Sequence, residues 1–161
     1  MIIIALQAVL LLVISASVVF YIWCGICISW FRTATKREAS AANQPVSLLV
    51  PICGVDEGAR ENWASFCQQD YEHYEVLFGV MNPQDPAVPI LEELVAKFGD
   101  RARLHFCLEV RGINNQISNL MHLLEVAQHE IVIFADSDIR VSSNYLSTVT
   151  ATLSDPSVGV V

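Results

Sequence analysis

Two carboxylates separated by a single serine, Asp136-Ser137-Asp138, stand directly after an apolar run at 131–135. Acids this close repel one another and hold protons tightly unless a cation lies between or beside them. Their hard oxygens suit Mg2+ or Mn2+, ions that keep several waters and share the phosphates of a substrate. The pair therefore suggests a metal–diphosphate site. The same residues also fit a turn in which Asp136 or Asp138 accepts local backbone amides and starts the next helix. Taken alone, so short a motif leaves both readings open. A third acid, Asp85, lies in the turn Asn82-Pro-Gln-Asp85-Pro86, after another apolar run.

Strands must position these acids. Residues 131–135 are unbroken, apolar and rich in β-branched side chains, the pattern of a strand buried on both faces in a parallel sheet. Ligands gather at the carboxyl ends of such strands. Further strands are predicted at 46–50, 74–80 and 103–108, with a fifth beginning at 157–161. Helices are predicted over 61–69, 90–98, 118–127 and 143–153, the last capped by Ser142 or Ser143. Strands that alternate with helices imply right-handed βαβ units, an α/β class and a mainly parallel sheet. A chain stopping inside an apolar strand reads as truncated.

Residues 1–31 carry no charge. A helix needs about 20 apolar residues to span a bilayer core, so this stretch is expected to be a transmembrane helix with some tilt. No basic segment precedes it, unlike a secretory signal. Arg32, Lys36 and Arg37 follow it, and such a flank stays on the cytoplasmic side. The remainder is expected to face the cytoplasm, joined by a polar tether at 32–45. Tyr21, Trp23, Trp30 and Phe31 fit an aromatic belt at the same interface. The net charge of −8 argues against nucleic acid and against a polybasic lipid-binding surface. The cysteines, Cys24, Cys27, Cys53, Cys67 and Cys107, are odd in number and irregular in spacing, and read as small hydrophobes. None of the histidines has metal-ligand spacing.

Several nucleotide-binding schemes fall away directly. No G-x-x-x-x-G-K-[ST] loop follows any strand, and Pro51-Ile52-Cys53-Gly54 lacks the G-x-G-x-x-G fingerprint. A phospho-receiver domain would need an acidic pair after the first strand, where Ile52-Cys53 supplies none. What remains is a scheme with acids after the second and fourth strands.

The segments Val46-Ser-Leu-Leu-Val-Pro-x-x-Gly54-Val-Asp56, Gln69-Asp-Tyr71, Tyr74-Glu-Val-Leu-Phe-Gly-Val80, Asp85-Pro-Ala87, Gly112-Ile-Asn114, Ser118-Asn-Leu120 and Asp136-Ser-Asp138-Ile-Arg140-Val141 occur in that order. Together they resemble the ceramide glucosyltransferases and the related hopanoid-biosynthesis-associated glycosyltransferases, over residues 46–161. The resemblance implies the nucleotide-sugar-binding half of a glycosyltransferase A-type fold, incomplete at its C-terminal end, behind a membrane helix. It implies a UDP-linked donor, a lipid hydroxyl such as ceramide or a hopanoid as acceptor, and Mg2+ or Mn2+ as cofactor. By the same resemblance Asp85 lies at the nucleoside, Asp136 near the ribose and the metal, and Asp138 on the cation bridging the diphosphate. The family's catalytic base, a third aspartate, is expected beyond Val161, so no catalytic residue is assigned within this chain.

Three positions depart from the pattern. Val50, Cys53 and Gln116 stand where the family commonly carries lysines. Lost cations weaken the hold on an anionic donor. Arg111 and Arg140 are the available substitutes, although a solvated side chain or a carboxylate partner suits each as well. Donor-site acids without a base also suit a second reading: an inactive remnant, acting as a membrane-anchored nucleotide-binding or interaction module.

Overall fold

The computed structural model describes residues 2–34, 44–153, 155 and 157–161. Most of the tether expected at 32–45, with Lys36 and Arg37, lies outside the described residues. The chain divides into two compact units, Met1–Glu38 and Ala39–Val161.

The first unit holds one helix, α1 (Ile2–Ala34). Within it Ile2–Phe31, at a mean hydropathy of 2.8, is long and apolar enough to cross a membrane. At 1.5 Å per residue such a stretch reaches about 45 Å against a hydrocarbon core of about 30 Å. Two of its hydroxyls are satisfied by the helix itself: Ser17 and Ser29 each donate to the carbonyl four residues back, at 2.9 Å.

The second unit runs β1 (Val46–Ile52), α2 (Ala59–Cys67), β2 (Tyr74–Val80), α3 (Val88–Phe98), a 3-10 turn (Gly99–Arg101), β3 (Ala102–Phe106), α4 (Asn115–Val126), β4 (Ile131–Phe134) and α5 (Tyr145–Thr152). The strands form one parallel sheet in the order β3-β2-β1-β4. The central strands β1 and β2 are buried almost throughout, as their unbroken apolar runs require. Trp63 and Phe66 of α2, Leu91 and Leu94 of α3 and Leu146 of α5 join Leu48, Val50, Val76 and Phe78 in one core. In the smaller core, Leu123 of α4 packs with Leu49 and Leu77. Each such side chain, fully buried, contributes about 1.5–3 kcal/mol.

Several expectations are corrected. β4 is not buried on both faces: among the described residues it is an edge strand paired only with β1, it ends at Phe134, and Phe134 is 59% exposed. α4 packs mainly over β1 and β2. Residues 157–161 form no strand. Asp155 folds them into a turn instead, its Oδ1 accepting from the Ser157 N–H at 3.0 Å and its carbonyl from the Val158 N–H at 2.9 Å. Neither Ser142 nor Ser143 caps α5. Asn144 holds the cap position, while the serine hydroxyls donate to Asn144 and Asp70. β1 continues through Pro51, which the sheet tolerates because β4 has already ended at the level of Leu49 and leaves β1 a neighbour on one side only.

At the amino ends of the strands a polar knot ties the sheet together. The Glu75 carboxylate, 5% exposed, accepts from Ser47 Oγ at 2.6 Å, from the Gln128 N–H at 2.7 Å and from the Arg103 guanidinium. Ser47 Oγ in turn accepts from the His129 N–H at 3.1 Å. Burial pushes the Glu75 carboxyl up, but the bonds from Ser47, Gln128 and Arg103 outweigh it and hold the group below its ordinary 4.5. A depressed folded-state value makes the contribution complete above about pH 4.5 and loses it as pH falls through the folded value. Thermal unfolding followed by circular dichroism should therefore show Tm dropping below pH 4.5, and Glu75→Gln should flatten that drop while lowering Tm at neutral pH.

Candidate functional site

A cleft of about 340 Å3 opens at the carboxyl ends of β1, β2 and β4. All three acids named above line it. Asp85 enters from the turn after β2, and Asp136 and Asp138 from the segment after β4. The β1–α2 loop adds Cys53 and Asp56, and the first turns of α4 add Asn115, Gln116 and Asn119.

The segment after β4 is held by its backbone. Asn62 Nδ2 donates to the Asp138 carbonyl at 3.1 Å, and the Trp63 indole N–H to the Ser137 carbonyl at 3.0 Å. The Val141 N–H reaches Ser65 Oγ at 3.1 Å. With the main chain strapped to α2, the side chains are left for the cleft. Among the described residues neither carboxylate accepts a backbone N–H, so the turn-capping reading does not describe this pair. Asp136 Oδ1 accepts from Gln116 Nε2 at 3.1 Å, and the exposed Asp138 carboxylate has no protein partner among the described residues.

Asp85 behaves differently. Its oxygens accept from the Gly54 N–H at 3.1 and 3.0 Å and from the Ala87 N–H at 2.9 Å, the latter an Asx turn leading into α3.

α4 starts earlier than its apolar periodicity predicts. Asn114 caps it, its side chain accepting from the N–H groups of Gln116 and Ile117. That extra turn delivers Asn115 and Gln116 to the cleft, and an asparagine just ahead of the helix was the signal for it. One turn on, Asn119 Nδ2 donates to the Gly79 carbonyl at 2.8 Å, while its Oδ1 is buried without a partner among the described residues.

Among the described residues four carboxylates line the cleft, from Asp56, Asp85, Asp136 and Asp138, and no lysine or arginine does. Arg111 pairs instead with Glu109, at 3.3 Å, and with Glu125. Arg140 is solvated. Of the positions where lysine is expected, Val50 is wholly buried in the core, whereas Cys53 and Gln116 face the cleft. Burial pushes the Cys67 thiol up to about 12 and that of Cys107 to about 11, in keeping with small hydrophobes. Cys53 departs from that reading, because it is exposed at the cleft wall.

No group of three His, Cys, Asp or Glu side chains forms a ready metal cage among the described residues. The donor set nevertheless fits Mg2+ or Mn2+, which take one or two carboxylates and complete their shell with phosphate oxygens and water. Asp138 and Asp136 are the residues that would hold such an ion.

The chain matches the family model described as glycosyl transferase family 21 over residues 9–161. It is 32% identical over 117 residues to ceramide glucosyltransferase 3 of Caenorhabditis elegans, covering 72% of this chain and 26% of that protein. With ceramide glucosyltransferase 1 of the same organism the identity is 30% over 112 residues, or 69% of this chain and 24% of the relative. The chain thus spans about a quarter of the curated relatives it matches. Among solved structures it resembles the mannosyltransferase PcManGT from Pyrobaculum calidifontis in complex with GDP-Man and Mn2+ (TM-score 0.61, 23% identity, 83% of this chain and 41% of that one). It also resembles S. aureus TarS in complex with UDP (TM-score 0.55, 22% identity, 69% and 32%). These two likenesses carry the fold. The family match covers nearly the whole chain, and the chain belongs to glycosyl transferase family 21.

Proposed function

We propose that this chain is the donor-binding part of a membrane-anchored glycosyltransferase that takes its sugar from a UDP-linked donor and delivers it to a lipid hydroxyl such as that of ceramide or a hopanoid. One observation carries the reading. A cleft lined, among the described residues, by four carboxylates and no cationic side chain repels a bare nucleoside diphosphate, yet it sits where parallel α/β sheets bind ligands. A divalent ion resolves that conflict.

In this reading Asp138 and Asp136 hold Mg2+ or Mn2+, with Gln116 fixing the Asp136 carboxylate and Asp85 standing at the nucleoside end of the same cleft. When bound, the ion neutralises charge that builds on the diphosphate leaving group. The residues of this chain bind and orient; they do not include an assigned base for the acceptor hydroxyl. The ceramide glucosyltransferase relatives support a glycolipid product, and α1 supports an acceptor met at the bilayer. Arg32, Lys36 and Arg37, which follow the uncharged stretch 1–31, support a cytoplasmic position for the α/β unit.

Calorimetry on the full chain in nanodiscs tests the donor site. UDP should bind with Mn2+ present and much more weakly in EDTA. Equal binding in both conditions removes the metal from the reading, and no binding in either removes the donor site.

A further inference from the structure

We propose that Gln116 makes nucleotide binding depend on the metal: its neutral amide holds the Asp136 carboxylate in position without taking its charge. The proposal deepens the donor-site reading above and rests on it.

Gln116 stands in the first turn of α4, where its own N–H donates to the Asn114 cap at 2.9 Å. With the backbone so fixed, the side chain reaches the segment after β4, and Nε2 donates to Asp136 Oδ1 at 3.1 Å. Only the Nε2 end of the amide can face a carboxylate, because Oε1 would set one acceptor against another. A carboxylate offers about four acceptor positions, so this bond leaves Asp136 room for an ion and its waters. The bond orders an exposed side chain before the ion arrives. The charge on Asp136 stays available. A lysine at the same point would orient the carboxylate too, but it would also compete with the ion for it. Among the described residues no such cation lines the cleft, so the ion alone offsets its four carboxylates. Gln116 acts through Asp136, as a positioning residue.

Calorimetry on the full chain in nanodiscs measures UDP affinity with Mn2+ and in EDTA, and the ratio of the two is the metal enhancement. Gln116→Met keeps the length of the side chain and removes the N–H. It should cut the enhancement about tenfold, the low end of the range for a lost partner of a metal ligand. Gln116→Lys keeps a donor and adds a charge. It should raise UDP affinity in EDTA about fourfold, the attraction of unit charges about 5 Å apart in water, and lower the enhancement by at least that factor. Equal losses with and without Mn2+ in Gln116→Met are the mark of a merely structural role and overturn the proposal. An enhancement as large as that of wild type in either variant overturns it as well and leaves the donor site standing. A wild-type chain with no enhancement at all defeats the metal in the donor-site reading, and the role of Gln116 with it.

Discussion

Replacing Asp138 with asparagine is expected to abolish the gain in UDP affinity that Mn2+ confers, with the fold unchanged. The carboxylate is exposed, bonds to nothing in the protein among the described residues, and belongs to a segment whose carbonyls are tied to Asn62 and Trp63. The substitution therefore removes charge without breaking a structural contact. Hydrogen bonds to charged groups contribute about 1.5–3 kcal/mol, so the loss of one ionised ligand should weaken Mn-UDP binding by about 10- to 150-fold. Metal-free binding should change little or improve, since one repelling charge has gone. Calorimetry with and without Mn2+ separates the two, and circular dichroism checks the fold. Asp136→Asn should cost less at the metal and should also loosen Gln116, its partner at 3.1 Å. If Asp138→Asn leaves the Mn2+ enhancement intact, its proposed ligand role is wrong.

Gly79→Ala is expected to be the most damaging single methyl in the α/β unit. A Cβ built there would lie 2.0 Å from Asn119 Oδ1 and 2.9 Å from Leu123 Cδ1, well inside contact distance for both. Neither neighbour can yield easily. The Asn119 side chain is fixed by its bond to the Gly79 carbonyl, and Leu123 is wholly buried in the smaller core. Overpacking of this kind costs about 1–3 kcal/mol, and displacing the Asn119 amide adds the loss of a buried hydrogen bond, about 1 kcal/mol more. Differential scanning calorimetry should show Tm lower by roughly 4–8 °C for each kcal/mol. Because α4 also carries Gln116, nucleotide binding should fall along with stability. Combining Gly79→Ala with Asn119→Ala opens space for the methyl and should recover part of the loss, a coupling that independent sites would not show.

The parts of this fold legible in the sequence are those written in hydrophobic pattern. The runs of β1 and β2 are apolar because both faces are covered, and their positions are read directly. Strand order leaves no such trace. β4 is as apolar as a central strand, yet it lies at the edge with Phe134 bare. Helix starts can depend on single polar side chains: Asn114 caps α4 ahead of the start that periodicity had set, whereas Asn144 holds the cap position of α5 without a side-chain cap bond. At the site the acids themselves were legible from spacing and resemblance. Their supports were not. Trp63 reads as core, and its indole N–H finds a carbonyl 74 residues away, a pairing with no local signature. Asp85 was placed at the nucleoside only through the resemblance, and the backbone amides of Gly54 and Ala87 that it accepts from are partners a sequence cannot nominate.

The polar knot around Glu75 lies at one end of the strands and the acidic cleft at the other. Such a separation makes the rim evolvable. Residues that line the cleft, such as Cys53 and Gln116, can change while the cohesion of the sheet is secured from the opposite pole.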